Sequence, residues 1–399
     1  MTGRRQGGAN QRTQRIHNRS LVLETVRRSA PISRVELSRS LGLKKSTISS
    51  IVSELVHHGL LVQSEQGAST SAGGRKPVYL TLNDGYCAFL GIELQPTKYR
   101  AVALDLAGKV LHRETGGVAP SPDGVGDTLG RIFRKLEPAV KALPAPLAAV
   151  GVGIPGYMNP ATGMVFHSIP LGLSGFDFNR IANPWSVPVR VENDAKCSAW
   201  AELVEPDSPR PSSFISLLME YQEENPLLGK PAGISTGIGI VIDGMVYYGN
   251  DFQSGDFKSL FWREGNLSQA GIPDSELAEV RRNSETYDAY VEEILLNLSP
   301  LMSVLDPERV VLCGDAAPSL DRVKSTFAGK LSGTFASLPR NASKLRVSRH
   351  REYAVAMGAA GRFLVSLVQP QGLFIQREGE ALDWQFLLGE FGKDAAPRG

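Results

Sequence analysis

The chain has 399 residues, 42% hydrophobic and 21% charged, enough to bury a substantial core and to divide into two or three domains. Its formal net charge of +2 conceals a division, because residues 1–80 carry a net +9 and residues 81–399 a net −7. A basic head attracts phosphate at long range whatever its fold, and an acidic body does not. No apolar run reaches about 18 residues, and the opening stretch MTGRRQGGANQRTQRIHNRS lacks the apolar core of an export signal, so a cytoplasmic protein without membrane contact is expected. Cys87, Cys197 and Cys313 are odd in number and widely spaced, which argues against a disulfide framework and against the paired ligands of a structural zinc site. The expectation is no metal and no cofactor.

Residues 1–15, rich in Gly, Arg, Gln and Asn without an apolar period, read as a flexible basic arm. Apolar spacing at Ile16, Leu21, Leu23 and Val26 predicts a first helix over 17–29, stopped by Pro31. Ser33 caps a second, short helix through Val35, Leu37 and Leu41, ended at Gly42. A third helix opens at Lys45 or Ser46 and carries Ile48, Ile51, Val52, Leu55 and Val56 at spacings of three and four. Strands at 60–62 and 78–82 flank a polar loop. Three helices, a glycine turn before the third and then a hairpin predict a winged helix-turn-helix over residues 16–82.

Beyond Tyr86 the pattern changes to strands and glycine turns. Strands are expected at 88–93, 99–105 and 109–113, then a helix over 126–142 and a buried strand at 148–154. A similar series recurs with strands at 214–218, 237–242 and 245–248, helices within 275–305 and a strand at 309–313. This coarse duplication predicts two related α/β lobes with a cleft between them. A last helix covers 353–368, and the tail after it has no assignment.

The third helix begins Lys44-Lys45-Ser46-Thr47-Ile48-Ser49-Ser50. In a helix-turn-helix the first turns of that helix enter the major groove, where Lys and short hydroxyl side chains reach base edges or phosphates. Lys44, Lys45, Ser46, Thr47, Ser49 and Ser50 are therefore candidate DNA contacts. Arg34, at the start of the second helix, is a candidate phosphate clamp, and Arg75 and Lys76 give the wing a basic tip. The partner expected is a double-stranded DNA operator.

The segments LKKSTISSIVSELVHHGLL, GVGIPGYMNPATGMV (151–165), VENDAKCSAWAE (191–202) and STGIGIVIDGMVYYG (235–249) resemble the ROK family, which joins sugar kinases to sugar-responsive repressors. The likeness runs over about residues 16–365. It implies a winged helix-turn-helix followed by a two-lobed, actin-like sugar-kinase body, with lobes at 83–209 and 210–352 and residues 353–399 supplying a helix that packs back on the first lobe, plus a tail. It further implies that Asp194 stands at the catalytic-base position and Asn193 at a sugar ligand. From chemistry alone, a carboxylate accepts a sugar hydroxyl proton and an amide holds its neighbours, although Asn-Asp is also a helix cap.

Two departures bear on function. Where kinases of the family carry Asp-x-Gly-Gly-Thr, this chain has Glu93-Leu94-Gln95-Pro96-Thr97, which adds bulk and removes an N–H from a phosphate cradle. The zinc element is replaced by Ser254-Gly255-Asp256-Phe257-Lys258-Ser259, with Ser259 in place of a metal-binding His and Asp256 left as a candidate hydroxyl acceptor. Tyr247, Tyr248, Phe252, Phe257, Phe261 and Trp262 are candidates to stack on a sugar ring. The expectation is a non-enzymatic regulator, a repressor modulated by a carbohydrate or derivative and acting as a homodimer or homotetramer. The alternatives are an ATP-dependent sugar kinase with a DNA-binding domain and a regulator that answers to a protein partner.

Overall fold

The computed structural model describes residues 4–64, 78–119, 121, 124–205, 211–224, 229, 231–329, 343–369 and 384–388. The head comprises α1 (Arg4–Ser29), β1 (Ile32–Ser33), α2 (Arg34–Leu41), α3 (Lys45–His57), β2 (Leu61–Ser64) and β3 (Tyr79–Leu82). Val22, Leu23, Val26, Leu37, Ile48, Val52, Leu55, Leu61 and Leu80 are buried together as its core. Ser33 accepts from the Glu36 amide while Glu36 reaches back to the Ser33 amide, a reciprocal cap that fixes the start of α2. Gly42 ends α2 at φ 64°, a left-handed conformation that glycine adopts without strain, and so turns the chain into α3. The β2–β3 hairpin pairs Leu61 with Leu82, and β1 adds a third strand through Ile32 opposite Leu80. A two-residue strand carries too little pattern to be read from sequence.

The reading of residues 1–15 as a flexible arm is corrected over 4–15, where α1 already runs; residues 1–3 lie outside the described residues. Once Val22, Leu23 and Val26 dock, extending the helix toward its N-terminus adds one hydrogen bond per residue without a new nucleus. Arg15 of that extension and Arg19 both donate to Glu54 of α3, at 3.0 Å from Arg19 Nε and 3.1 Å from Arg15. The inward face of α1 also differs by a residue from the expected one, with Val22 buried and Leu21 half-buried; Val35 of α2 is 45% exposed.

The first lobe is built from β4 (Ala88–Leu94), β5 (Lys98–Asp105), β6 (Val110–Gly117), α4 (Val125–Lys141), β7 (Leu147–Ile154), a small sheet of β8 (Tyr157–Asn159), β9 (Met164–Ser168) and β10 (Leu173–Asp177), then β11 (Val189–Asn193) and α5 (Asp194–Val204). The second has β12 (Phe214–Gln222), β13 (Gly233–Ile242), β14 (Met245–Val246), α6 (Asp274–Leu277), α7 (Ser284–Leu305), β15 (Arg309–Cys313), α8 (Leu320–Gly329) and β16 (Leu345–Val347); α9 (Ala354–Val368) follows. The main sheets are ordered β6-β5-β4-β7-β11 and β14-β13-β12-β15-β16. In each, an antiparallel three-strand meander continues into two parallel strands, so the duplication seen as a sequence pattern is a repeated topology.

Helices α5 and α9 pack on one another and lie between the sheets, α9 against β4 and β7 and α5 against β12 and β13. Glycines permit that closeness: a Cβ on Gly151 would sit 2.0 Å from the Ala359 carbonyl oxygen, and one on Gly239 2.5 Å from that of Ala195. The glycines of β13 thus serve packing. Helix α1 packs on α9, and Arg27 Nη1 of α1 donates to the body carbonyls of Ala107 at 3.2 Å and Val204 at 2.8 Å. The tail returns as a short turn, Trp384–Phe386, with Trp384 and Leu387 buried and Tyr86 donating to the Leu387 carbonyl. Among the described residues no helix is long and apolar enough to cross a membrane.

Candidate functional site

Helix α3 is two-faced. Ile48, Ile51, Val52 and Leu55 are buried, whereas Lys45, Ser46, Ser49 and Ser50 are exposed, Thr47 is half-buried and Lys44 is exposed at the N-cap. Ser53 and His57 continue the exposed face at the same helical spacing; the sequence reading stopped one turn short of them, although i, i+4 from Ser49 would have found both. Ser38 donates to the Leu43 carbonyl at 2.7 Å and holds the turn that sets α3 against α2. Arg34 is half-buried in the first turn of α2. Arg75 and Lys76 lie outside the described residues.

A second site is a cavity of about 290 Å³ between the lobes, lined by Asn193, Asp194 and Asp256 together with Tyr157, His167, Lys196 and Gln269. The three residues expected from sequence are therefore in one place. Strand β11 delivers Asn193 to the start of α5, where its Oδ1 accepts from the Lys196 amide at 3.0 Å and its Nδ2 donates to the Gly156 carbonyl at 3.0 Å. Asp194 accepts from its neighbour's Nδ2 at 3.2 Å and from the Ala195 amide at 2.8 Å. Capping and cavity lining are thus both present. Burial, with the Glu93 carboxylate nearby, pushes the Asp194 carboxyl up to about 6 against the opposing amide hydrogen bond. Asp256 is exposed at the cavity edge.

Lys196 was not singled out from sequence, although it stands one helical turn after Asn193. It donates to the Ser254 carbonyl at 2.9 Å and the Phe252 carbonyl at 3.3 Å, tying the loop that carries Asp256 to the first turn of α5. Burial lowers its ammonium pKa, opposed by the carboxylates of Glu192, Asp194 and Asp256. Of the aromatic candidates, Phe252 and Phe257 line the cavity. Tyr248 instead donates to Glu192 at 2.6 Å, Trp262 lies under the Lys258 ammonium at 3.3 Å, and Tyr247 and Phe261 are half exposed to solvent. Ser259 is buried away from the cavity, its hydroxyl accepting from Phe261 N at 3.0 Å and Asn297 Nδ2 at 3.1 Å. Among the described residues no group of three or more His, Cys, Asp or Glu could hold a metal ion.

The fold and these two sites define a helix-turn-helix head on a two-lobed, cleft-bearing body. Residues 89–257 match the ROK family, and residues 21–65 match the IclR helix-turn-helix domain. The chain therefore carries a ROK family domain joined to an IclR-type helix-turn-helix domain. It is 27% identical over 236 residues to the xylose repressor of Caldicellulosiruptor bescii, covering 58% of this chain and 55% of that protein. It is 29% identical over 252 residues to the xylose repressor of Bacillus subtilis, covering 60% and 59%. A shorter likeness, 26% over 158 residues, joins it to the dual regulator NagC of Escherichia coli, covering 38% and 37%. The matched stretches thus span little more than half the length of the two xylose repressors and 37% of NagC. Among solved structures, a ROK family transcriptional regulator homologous to the Escherichia coli MLC protein superposes with TM-score 0.66 at 18% identity, over 96% of this chain and all of that one. That likeness shows the fold.

Proposed function

We propose that the protein is a transcriptional regulator of the repressor type, which binds operator DNA through the exposed face of α3 and responds to a carbohydrate held at Asn193, Asp194 and Asp256. The observation that carries this reading is the position of α5. Its first residues line the cavity, and the carbonyl of its last residue, Val204, accepts from Arg27 of α1. One helix of 11 residues, about 16 Å long, links the ligand pocket to the DNA-reading head. A sugar that binds two lobe arrangements unequally would shift the head with them, and two-fold symmetry in a homodimer or homotetramer would set half-site spacing. The relatives named xylose repressor support a sugar as effector.

The β4–β5 turn supports a sensor over a kinase. Gln95 is buried there and donates to Glu93 at 3.2 Å, Pro96 offers no N–H, and the nearby cations Lys98 and Arg100 are engaged by protein carboxylates. The test uses the purified full chain and DNA selected from a random duplex pool, with D-xylose and N-acetylglucosamine as probes. The reading expects salt-sensitive DNA binding that one sugar changes, and loss of that response in Asn193→Ala. Phosphorylation of a hexose by ATP, abolished in Asp194→Asn, would overturn it in favour of an enzyme.

A further inference from the structure

Five charged side chains meet behind the cavity, and none of them was assigned a contact with DNA or sugar above. Strand β4 brings Glu93 and β5 brings Lys98 and Arg100, with Glu93 and Arg100 directly opposite in register. The second lobe brings Glu220 on β12 and Asp315 just past β15. Arg100 Nη1 lies 2.9 Å from both Glu93 oxygens and 3.2 Å from Glu220 Oε2, and its Nη2 lies 2.8 Å from Asp315 Oδ2. Lys98 donates to Glu220 at 3.3 Å and also to Asp315. Arg100, Glu93 and Glu220 are almost wholly buried. Asp315 is held in place by accepting from the Tyr221 amide at 2.8 Å, and its turn depends on Gly314 at φ 95°, where a Cβ would meet the Met219 carbonyl oxygen at 2.0 Å.

The ownership of these charges is uneven. Both cations belong to the first lobe, and two of the three carboxylates belong to the second. If the lobes separate, Glu93 and Arg100 remain a matched pair, but Glu220 and Asp315 are left side by side with no cation, a like-charge contact next to buried surface. Closure relieves that conflict. The cluster is also mechanically continuous with the pocket: Pro96, between Glu93 and Lys98, lines it, as do Gln222 and Glu223 just beyond Glu220.

We infer that Lys98 and Arg100 of one lobe and Glu220 and Asp315 of the other form an ionic latch, which holds the cleft closed in the ligand-free chain and so sets the population of the pocket able to receive an effector. The latch regulates the site proposed above and rests on that reading only for its role in sensing. A ligand that needs the closed cleft would bind a preformed pocket, and its apparent affinity would fall with the closed fraction when the latch is weakened.

The test measures the distance between the lobes by pulsed spin-label spectroscopy on the full chain. Labels go at Lys141→Cys on α4 and Val304→Cys on α7, both solvent-exposed, while the native Cys87, Cys197 and Cys313 are buried. Glu220→Gln/Asp315→Asn removes both second-lobe charges at constant size, and Lys98→Gln, at a side chain 21% exposed, is a milder change that keeps the Glu93–Arg100 pair. Both are expected to add a longer-distance population, at least about tenfold above that of the parent chain. Lys344→Gln, which breaks a surface pair with Asp306 inside the second lobe, is expected to leave the distribution unchanged. Unaltered distances in folded Lys98→Gln and in folded Glu220→Gln/Asp315→Asn would overturn the latch. Because distances are read without any sugar, a shift in distance without a sugar response would keep the latch and discard the effector reading. The converse result would discard the latch alone.

Discussion

Arg27→Met tests whether the body and the DNA-reading head are coupled where the structure joins them. The Arg27 side chain is 1% exposed, donates to Glu24 at 2.8 Å through Nε, and reaches the carbonyls of Ala107 and Val204 through Nη1. Methionine keeps the apolar stem and removes the donors. Two hydrogen bonds from a charged group, at about 1.5–3 kcal/mol each, set the scale, reduced because Glu24 retains Arg28 at 2.6 Å; the net cost is about 3 kcal/mol of head-to-body docking. For a head of this size that corresponds to a fall of roughly 10 °C or more in its unfolding midpoint. Calorimetry should then resolve a separate, earlier transition for the head, while the affinity of α3 for DNA changes little and the sugar response of that affinity is lost. A single transition at the parental temperature, together with an intact sugar response, would refute the claim that coupling runs through the α1–α5 junction.

Three further outcomes follow from the same geometry. Lys45→Ala should weaken DNA binding for all sequences and lower the salt dependence by about one counterion in log–log slope, whereas Ser49→Ala or Ser53→Ala should alter base preference at single positions in a selection experiment. The Asp194 carboxyl, raised to about 6 by burial, keeps a proton in the folded chain that the unfolded chain releases near its ordinary value of 3.8. Stability from this group is therefore lost as pH rises between those values and stays lost above, so Asp194→Asn should raise the melting temperature at pH 8 and leave it unchanged below about pH 4. Gly358→Ala would place a Cβ 1.7 Å from the Cys197 carbonyl oxygen and should cost about 3 kcal/mol or more, read as a lower denaturation midpoint.

The parts legible in the sequence were those with strong local signals. Caps at Ser33 and Gly42 and the apolar spacing of α3 each announce themselves within a dozen residues, and the strand meander announces itself by repeating. Asn193 and Asp194 could be placed because VENDAKCSAWAE (191–202) resembles a segment of the ROK family. Residues that act through tertiary contact were not legible: nothing local to Lys196 says that its ammonium will tie down the 252–254 carbonyls, and Arg100 and Glu220, 120 positions apart, become partners only when the two lobes come together. The same limit applies to α1, whose first turns lack an apolar period and whose Arg15 and Arg19 bond to Glu54, a residue of another helix.

The glycine contacts constrain how any signal could travel. Cβ atoms on Gly237 and Gly239 would strike Ala195 at 2.7 and 2.5 Å, and those on Gly358 and Gly361 would strike Cys197 and Val204 at 1.7 and 2.0 Å. Helix α5 is thus pressed against β13 on one side and α9 on the other, with no slack along its length, and such packing moves in discrete rigid steps. A ligand drawn toward Asn193 and Asp194 cannot bend the start of α5 alone; it must carry α5 and α9 together. Because α1 packs on α9 and Arg27 holds the end of α5, that rigid pair is also the seat of the DNA-reading head. On the function proposed above, the close packing of α5 would pass a small change in lobe angle on to α3.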